Sequence, residues 1–162
     1  MVFLPPFCAS SPHPRAAHLV AYCGKIEEEL TGIVEDIQSL LKDHLLPHAQ
    51  SAEAKVEYMK MQGDYHRYHS EIAVDAARDA VVLAAKNAYQ AAYDLSMELK
   101  PDNATRLGLM LNYSVFYYEI MNEYDQAIAM AKAASDEAGD VDDENAISIL
   151  TVGHIIAPVV TY

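Results

Sequence analysis

Tryptophan is absent, and glycine and proline are few, with 6 and 7 occurrences in 162 residues. Runs of alternating apolar and polar residues are scarce too. Together these deficits argue against a β-rich chain with many tight turns. Basic residues are also in short supply: 11 Lys and Arg face 24 Asp and Glu, for a net charge of −13. A chain of that sign repels nucleic acid and anionic membrane, so neither is an expected partner. The two cysteines, Cys8 and Cys23, form no disulfide framework and have no metal-site spacing, which fits a reducing compartment. Met1 to Pro14 lacks the basic start of a signal peptide, and the apolar stretch Ile149 to Tyr162 is too short to span a bilayer and is broken by Gly153 and Pro158. A cytoplasmic protein is expected.

What is present is helix-forming. Ala, Leu, Glu, Met and Tyr are frequent, and an all-α domain is expected over residues 19–150. An unpatterned, disordered segment (1–18) precedes it and an unrelated apolar tail (151–162) follows. Leu19, Tyr22, Ile26, Leu30, Ile33, Ile37, Leu40 and Leu45 recur at steps of three and four, predicting one long amphipathic helix that Pro47 ends. Ser51 is placed to cap a second helix, Ala52 to beyond Ile72, which packs through Val56, Met59 and Gly63. A break near Val74-Asp75 leads to a third helix, stopped at Pro101. A fourth, Asn103 to Met121, is apolar around most of its girth and is expected at the centre. A fifth runs from Glu123 to a stop at Gly139, and a short sixth covers Asn145 to Val152. Short connections predict stacked antiparallel hairpins.

Chemistry concentrates on the second helix. At about 100° per residue, Lys60, Asp64, Arg67 and Tyr68 share a face. Arginine offers a planar fork for phosphate or carboxylate, and tyrosine adds a hydroxyl. This face is suited to an anion, with Asp64 able to hold the arginine when no ligand is bound. On the fourth helix Gly108, Asn112, Val115 and Glu119 share another face. His66 and His69 lie three apart, and His44 and His48 straddle Pro47, but no third ligand completes a metal set, so no metal and no cofactor are expected. Gly-x-Ser-x-Gly and phosphate-cradling glycine loops are missing, which argues against an enzyme. A faint echo at about 35 residues, Ala88-Tyr89 against Glu123-Tyr124, suits stacked helical hairpins of the tetratricopeptide kind.

Two blocks carry a more specific likeness. Lys55 to Tyr68 (KVEYMKMQGDYHRY) resembles the first signature of the 14-3-3 proteins, and Arg106 to Ile120 (RLGLMLNYSVFYYEI) resembles that family's central helix. Lys25 to Leu30 and Ala131 to Ala138 also match, in register, so the resemblance spans about residues 22–138. It implies a helical, non-enzymatic adaptor in signalling that clamps phosphoserine or phosphothreonine segments of partner proteins and associates with itself or with a full-length 14-3-3 paralogue. Carried over, Arg67, Tyr68 and Lys60 match phosphate-site residues. Asn112, Leu111, Val115, Glu119 and Gly108 match the peptide groove, and Tyr22, Lys25 and Glu29 match one side of the dimer contact. Gln62 stands where the family often has a base. The family's first three helices and its last have no counterpart, so a shortened member is expected: a partial bundle with two fewer phosphate-site cations. Charge-assisted bonds are worth about 1.5–3 kcal/mol each, so that loss would weaken binding by roughly 3–6 kcal/mol. A phosphate-independent, tetratricopeptide-like scaffold, in which Arg67 merely pairs with Asp64 or Glu71, is the alternative.

Overall fold

The computed structural model describes residues 14–138, with side chains from His18 onward. It is helical throughout, with no strand among the described residues. The first helix, α1, starts at Pro14, ahead of the expected Leu19. It covers Pro14–Ser39, widens into a π-helical segment at Leu40–Leu45 and closes with the turn Leu46–His48. Pro47 therefore lies inside the last turn rather than ending the helix. Its missing N–H removes one donor from the ladder, and the chain turns extended only at Ala49. As a result His44 and His48 share a helix end, with His48 Nδ1 2.7 Å from the His44 carbonyl oxygen.

Helix α2 (Ala52–Ile72) begins where Ser51 Oγ accepts the Ala54 N–H at 3.1 Å. It ends where Ala73 and Val74 adopt extended backbone. Asp75 then opens α3 (Asp75–Ser96) at φ 52°, a left-handed conformation that aspartate tolerates better than most residues. So brief a link returns α3 antiparallel along α2. Asn103 caps α4 (Ala104–Phe116), its side-chain oxygen accepting from the Thr105 and Arg106 N–H groups at 2.9 and 3.1 Å. A π-helical segment, Tyr117–Met121, extends α4 to Asn122, whose φ of 55° terminates it. Helix α5 (Tyr124–Ala138) follows. The expected stop at Gly139, the helix at 145–152 and the tail at 151–162 lie outside the described residues.

The core forms around α4, as its all-round apolar pattern predicts. Leu107, Leu109, Met110 and Phe116 are fully buried. The Tyr113 ring stacks on Tyr89 from α3 at 5.2 Å and on Tyr117 at 4.5 Å. Gly63 sets the spacing of α2 and α3, because a methyl there would meet the Tyr89 ring at 2.7 Å. Helix α1 differs. Only its second half reaches α2, through buried Val34 and Leu41 and through Gln38, which donates to the Gln62 carbonyl at 2.9 Å. The stripe Leu19, Tyr22, Ile26, Leu30, Ile33 and Leu40 is exposed instead of forming the packed face. No described helix is long and apolar enough to cross a membrane.

Candidate functional site

The pairing of α2 with α4 brings the chemistry of the two helices together. Lys60, Asp64 and Arg67 rise from α2; Asn112 and Glu119 face them from α4 and its π-helical extension. Asp64, 8% exposed, joins the two sides. Its Oδ1 accepts the Asn112 Nδ2 at 2.9 Å and its Oδ2 accepts it at 3.1 Å. The Tyr89 hydroxyl donates to Oδ1 at 2.6 Å, and Lys60 Nζ lies 3.5 Å from Oδ2. Lys60 also pairs with Glu57 at 3.0 Å. Burial pulls the Lys60 pKa down, but Asp64 and Glu57 more than offset it, so the ammonium holds its proton more tightly than usual. Burial, reinforced by Asp64, pushes the Tyr89 phenol far up, which leaves it a neutral donor.

Arg67 is held differently from the expectation. It makes no ion pair with Asp64. Its Nε donates to the Tyr89 hydroxyl at 3.4 Å, and that phenol bridges it to Asp64. Its Nη1 stands 4.0 Å from Glu71 and 3.8 Å from Glu119, at the limit of ion pairing. The Tyr68 ring lies 4.5 Å from the guanidinium carbon, a cation–π contact, and the ring is 46% exposed. Arg67 thus has a braced stem and two carboxylates too distant for short bonds, so its terminal N–H groups are available to an anion. A cleft of about 530 Å³ opens beside it, lined by Ser70, Glu71, Arg78, Glu119 and Tyr124 among others.

The other expected site residues fall in two places. Leu111 and Val115 are half-buried on α4, and Gly108, one turn before Asn112, has open space where a Cβ would lie. Tyr22, Lys25 and Glu29 are exposed on the first half of α1, and the structure does not bring them to the α2–α4 face. Asp64 and Tyr89 are the residues that sequence reasoning undervalued. A tyrosine placed inward on α3 reads as core, and nothing local signals that its hydroxyl meets a carboxylate 25 positions earlier. Among the described residues no three His, Cys, Asp or Glu side chains gather to hold a metal ion.

Comparison with known proteins bears on the whole arrangement. The family model described as 14-3-3 protein matches residues 9–150. The chain belongs to the 14-3-3 family. That match reaches beyond the 22–138 of the sequence resemblance at both ends. The 14-3-3-like protein GF14-D of Oryza sativa subsp. japonica is 50% identical over 124 residues, covering 76% of this chain and 47% of the relative. The 14-3-3 protein homolog of Candida albicans is 52% identical over 118 residues, covering 72% and 45%. The 14-3-3 protein beta/alpha-1 of Oncorhynchus mykiss is 49% identical over 118 residues, covering 72% and 48%. The chain therefore spans about half the length of these curated 14-3-3 relatives. The all-α bundle is the 14-3-3 architecture over that half, and the α2–α4 face lies within it.

Proposed function

We propose that the chain is a cytoplasmic adaptor, not an enzyme, that binds phosphoserine- or phosphothreonine-containing segments of partner proteins on the α2–α4 face. Arg67 and Tyr68 take the phosphate, with Lys60 adding positive charge at its edge. Asn112 hydrogen-bonds the peptide backbone. Leu111 and Val115 give the segment an apolar wall, Gly108 leaves room for it, and Glu119 releases Arg67 when phosphate arrives. Tyr22, Lys25 and Glu29, exposed on α1, are the candidate contacts to a second copy or to a longer 14-3-3 chain. The observation that carries this reading is the state of Arg67. Its carboxylate neighbours come no closer than 3.8 Å, so a doubly charged phosphate accepting bidentate bonds displaces only weak contacts.

Titrating a fluorescent phosphoserine peptide and its unphosphorylated twin tests the reading. The phosphopeptide should bind at least tenfold more tightly, with an affinity that falls as salt rises. Arg67→Glu should erase the difference between the peptides, because it removes a charge-assisted pair worth about 1.5–3 kcal/mol and adds repulsion. Equal binding of the two peptides by the unmodified chain would sink the phosphate role and favour the phosphate-independent scaffold.

A further inference from the structure

We infer that Asp64 is the positioning residue of this face: one buried carboxylate sets the direction of the hydrogen bonds that Asn112 and Arg67 can offer a ligand. The inference rests on the phosphopeptide reading above and deepens it.

An ionised aspartate only accepts. The Asn112 side chain meets it at 2.9 and 3.1 Å, so the amide nitrogen must face Asp64 and the Asn112 Oδ1 must face away. The amide orientation, interchangeable in isolation, is thereby fixed. Asn112 presents an outward acceptor together with the second Nδ2 hydrogen, the pair that matches the N–H and C=O of an extended peptide. The same logic governs Tyr89. Its hydroxyl hydrogen goes to Asp64 at 2.6 Å, so its lone pair is turned to the Arg67 Nε at 3.4 Å. With Nε engaged, the guanidinium keeps its terminal N–H groups for an anion. Lys60, 3.5 Å from Asp64 Oδ2, is held on the same carboxylate. Gly63 is the neighbouring residue that lets Tyr89 come this close. A neutral amide at position 64 could both donate and accept, and neither Asn112 nor Tyr89 would then have an enforced direction.

Asp64→Asn keeps the shape and removes the enforcement. It should weaken phosphoserine-peptide binding about ten- to a hundredfold, the size of a lost charge-assisted hydrogen bond. It should weaken inorganic phosphate at the Arg67 site by clearly less, because phosphate never meets Asn112, and the loss of an enforced Tyr89 direction is offset there by the loss of a nearby negative charge. A merely structural role would lower both affinities by the same factor. That result, or an unchanged peptide affinity, overturns the inference. Nuclear magnetic resonance of the ligand-free wild-type chain supplies an arm that needs no variant. One Asn112 side-chain amide proton should be shifted downfield and exchange slowly with solvent, and its partner should not. Two equivalent, fast-exchanging protons overturn the inference even if the variant fails to fold. If the unmodified chain does not distinguish the phosphopeptide from its twin, the functional reading fails, and the resonance of Asn112 still decides whether Asp64 orients it.

Discussion

Two arginines, Arg67 and Arg106, sit on adjacent packed helices and are both largely shielded from water, yet they are satisfied to very different degrees. Arg106, at the start of α4, is 7% exposed. Glu137 on α5 grips it through two parallel bonds, Nε to Oε2 at 2.8 Å and Nη2 to Oε1 at 2.6 Å, and its Nη1 donates to the Leu99 carbonyl at 3.2 Å. Arg67, on α2, has one longer bond to a phenol and two carboxylates near 4 Å. A buried cation with a short bond on each of its three nitrogens ties helices together; one whose stem is braced and whose terminal group makes only long contacts is suited to a ligand that arrives. The difference supports the proposed role of Arg67 without reference to any relative.

The largest expected effect sharpens that contrast directly. Arg106→Leu leaves Glu137 without its partner and frees the Leu99 carbonyl. It should cost about 2–4 kcal/mol in urea unfolding, below the full price of breaking a buried pair because Glu137 is a quarter exposed. Arg67→Leu should cost under about 1 kcal/mol, since its ion pairs are long and weak. Equal losses from the two substitutions would break the comparison and make Arg67 a structural residue too.

A smaller effect separates the brace from the grip. At Gly63 a Cβ would stand 2.7 Å from the Tyr89 ring, and that ring is buried against Tyr113 and Phe116 with no room to retreat. Gly63→Ala should therefore destabilise by about 1–3 kcal/mol, the usual range for overpacking. It should also weaken phosphopeptide binding by displacing the phenol that supports Arg67. Gly108→Ala is the matched control. Nothing lies within 4 Å of the added methyl, so the helix should gain about 0.5–1 kcal/mol from replacing a mid-helix glycine. Thermal melts of both variants check the pair, and a Gly63→Ala melt that matches the Gly108→Ala melt would remove Tyr89 from the account of Arg67.

What could be read from the sequence was the part written in local chemistry. Ser51 and Asn103 announce helix starts because a cap acts on N–H groups two or three residues away. The Lys60–Asp64 pair is an i,i+4 contact and needs only the helical period. The partners of Asp64 and Arg106 are invisible on that scale: Asn112 lies 48 residues from Asp64, and Glu137 lies 31 from Arg106. Periodicity also misjudged α1. It reported an apolar stripe correctly but could not say which edge of the stripe meets a neighbour. The contact runs through Val34 and Leu41, while Leu30 and Ile33 stay 43% and 48% exposed. The family likeness implied that Arg67 and Asn112 serve one groove. It was silent on Asp64, whose part emerges only from the geometry of donors and acceptors.

The smallest effect concerns a third basic group on these helices, His66, which neighbours Arg67 in sequence but has neither kind of support. Its Nδ1 is buried with no hydrogen-bond partner. The ring lines a separate cleft between α1, α2 and α3, with Glu35 and His69 as the titratable groups facing it and Ala80, Val81 and Ala84 closing it from α3. Burial lowers the His66 pKa below its usual 6.5, and the nearby charge of His69 lowers it further. The unfolded chain therefore takes the proton first on acidification. The stabilising contribution of a neutral His66 is complete above about pH 6.5, is lost progressively as pH falls through 6.5 toward the lowered folded value, and is gone below that value. Urea midpoints should accordingly fall between pH 7.5 and pH 5.5 in the unmodified chain, and His66→Gln should flatten part of that slope. Because the chain has 7 histidines, the decisive quantity is the difference between the two slopes. Identical slopes would mean that His66 accepts its proton in the folded protein as easily as outside it.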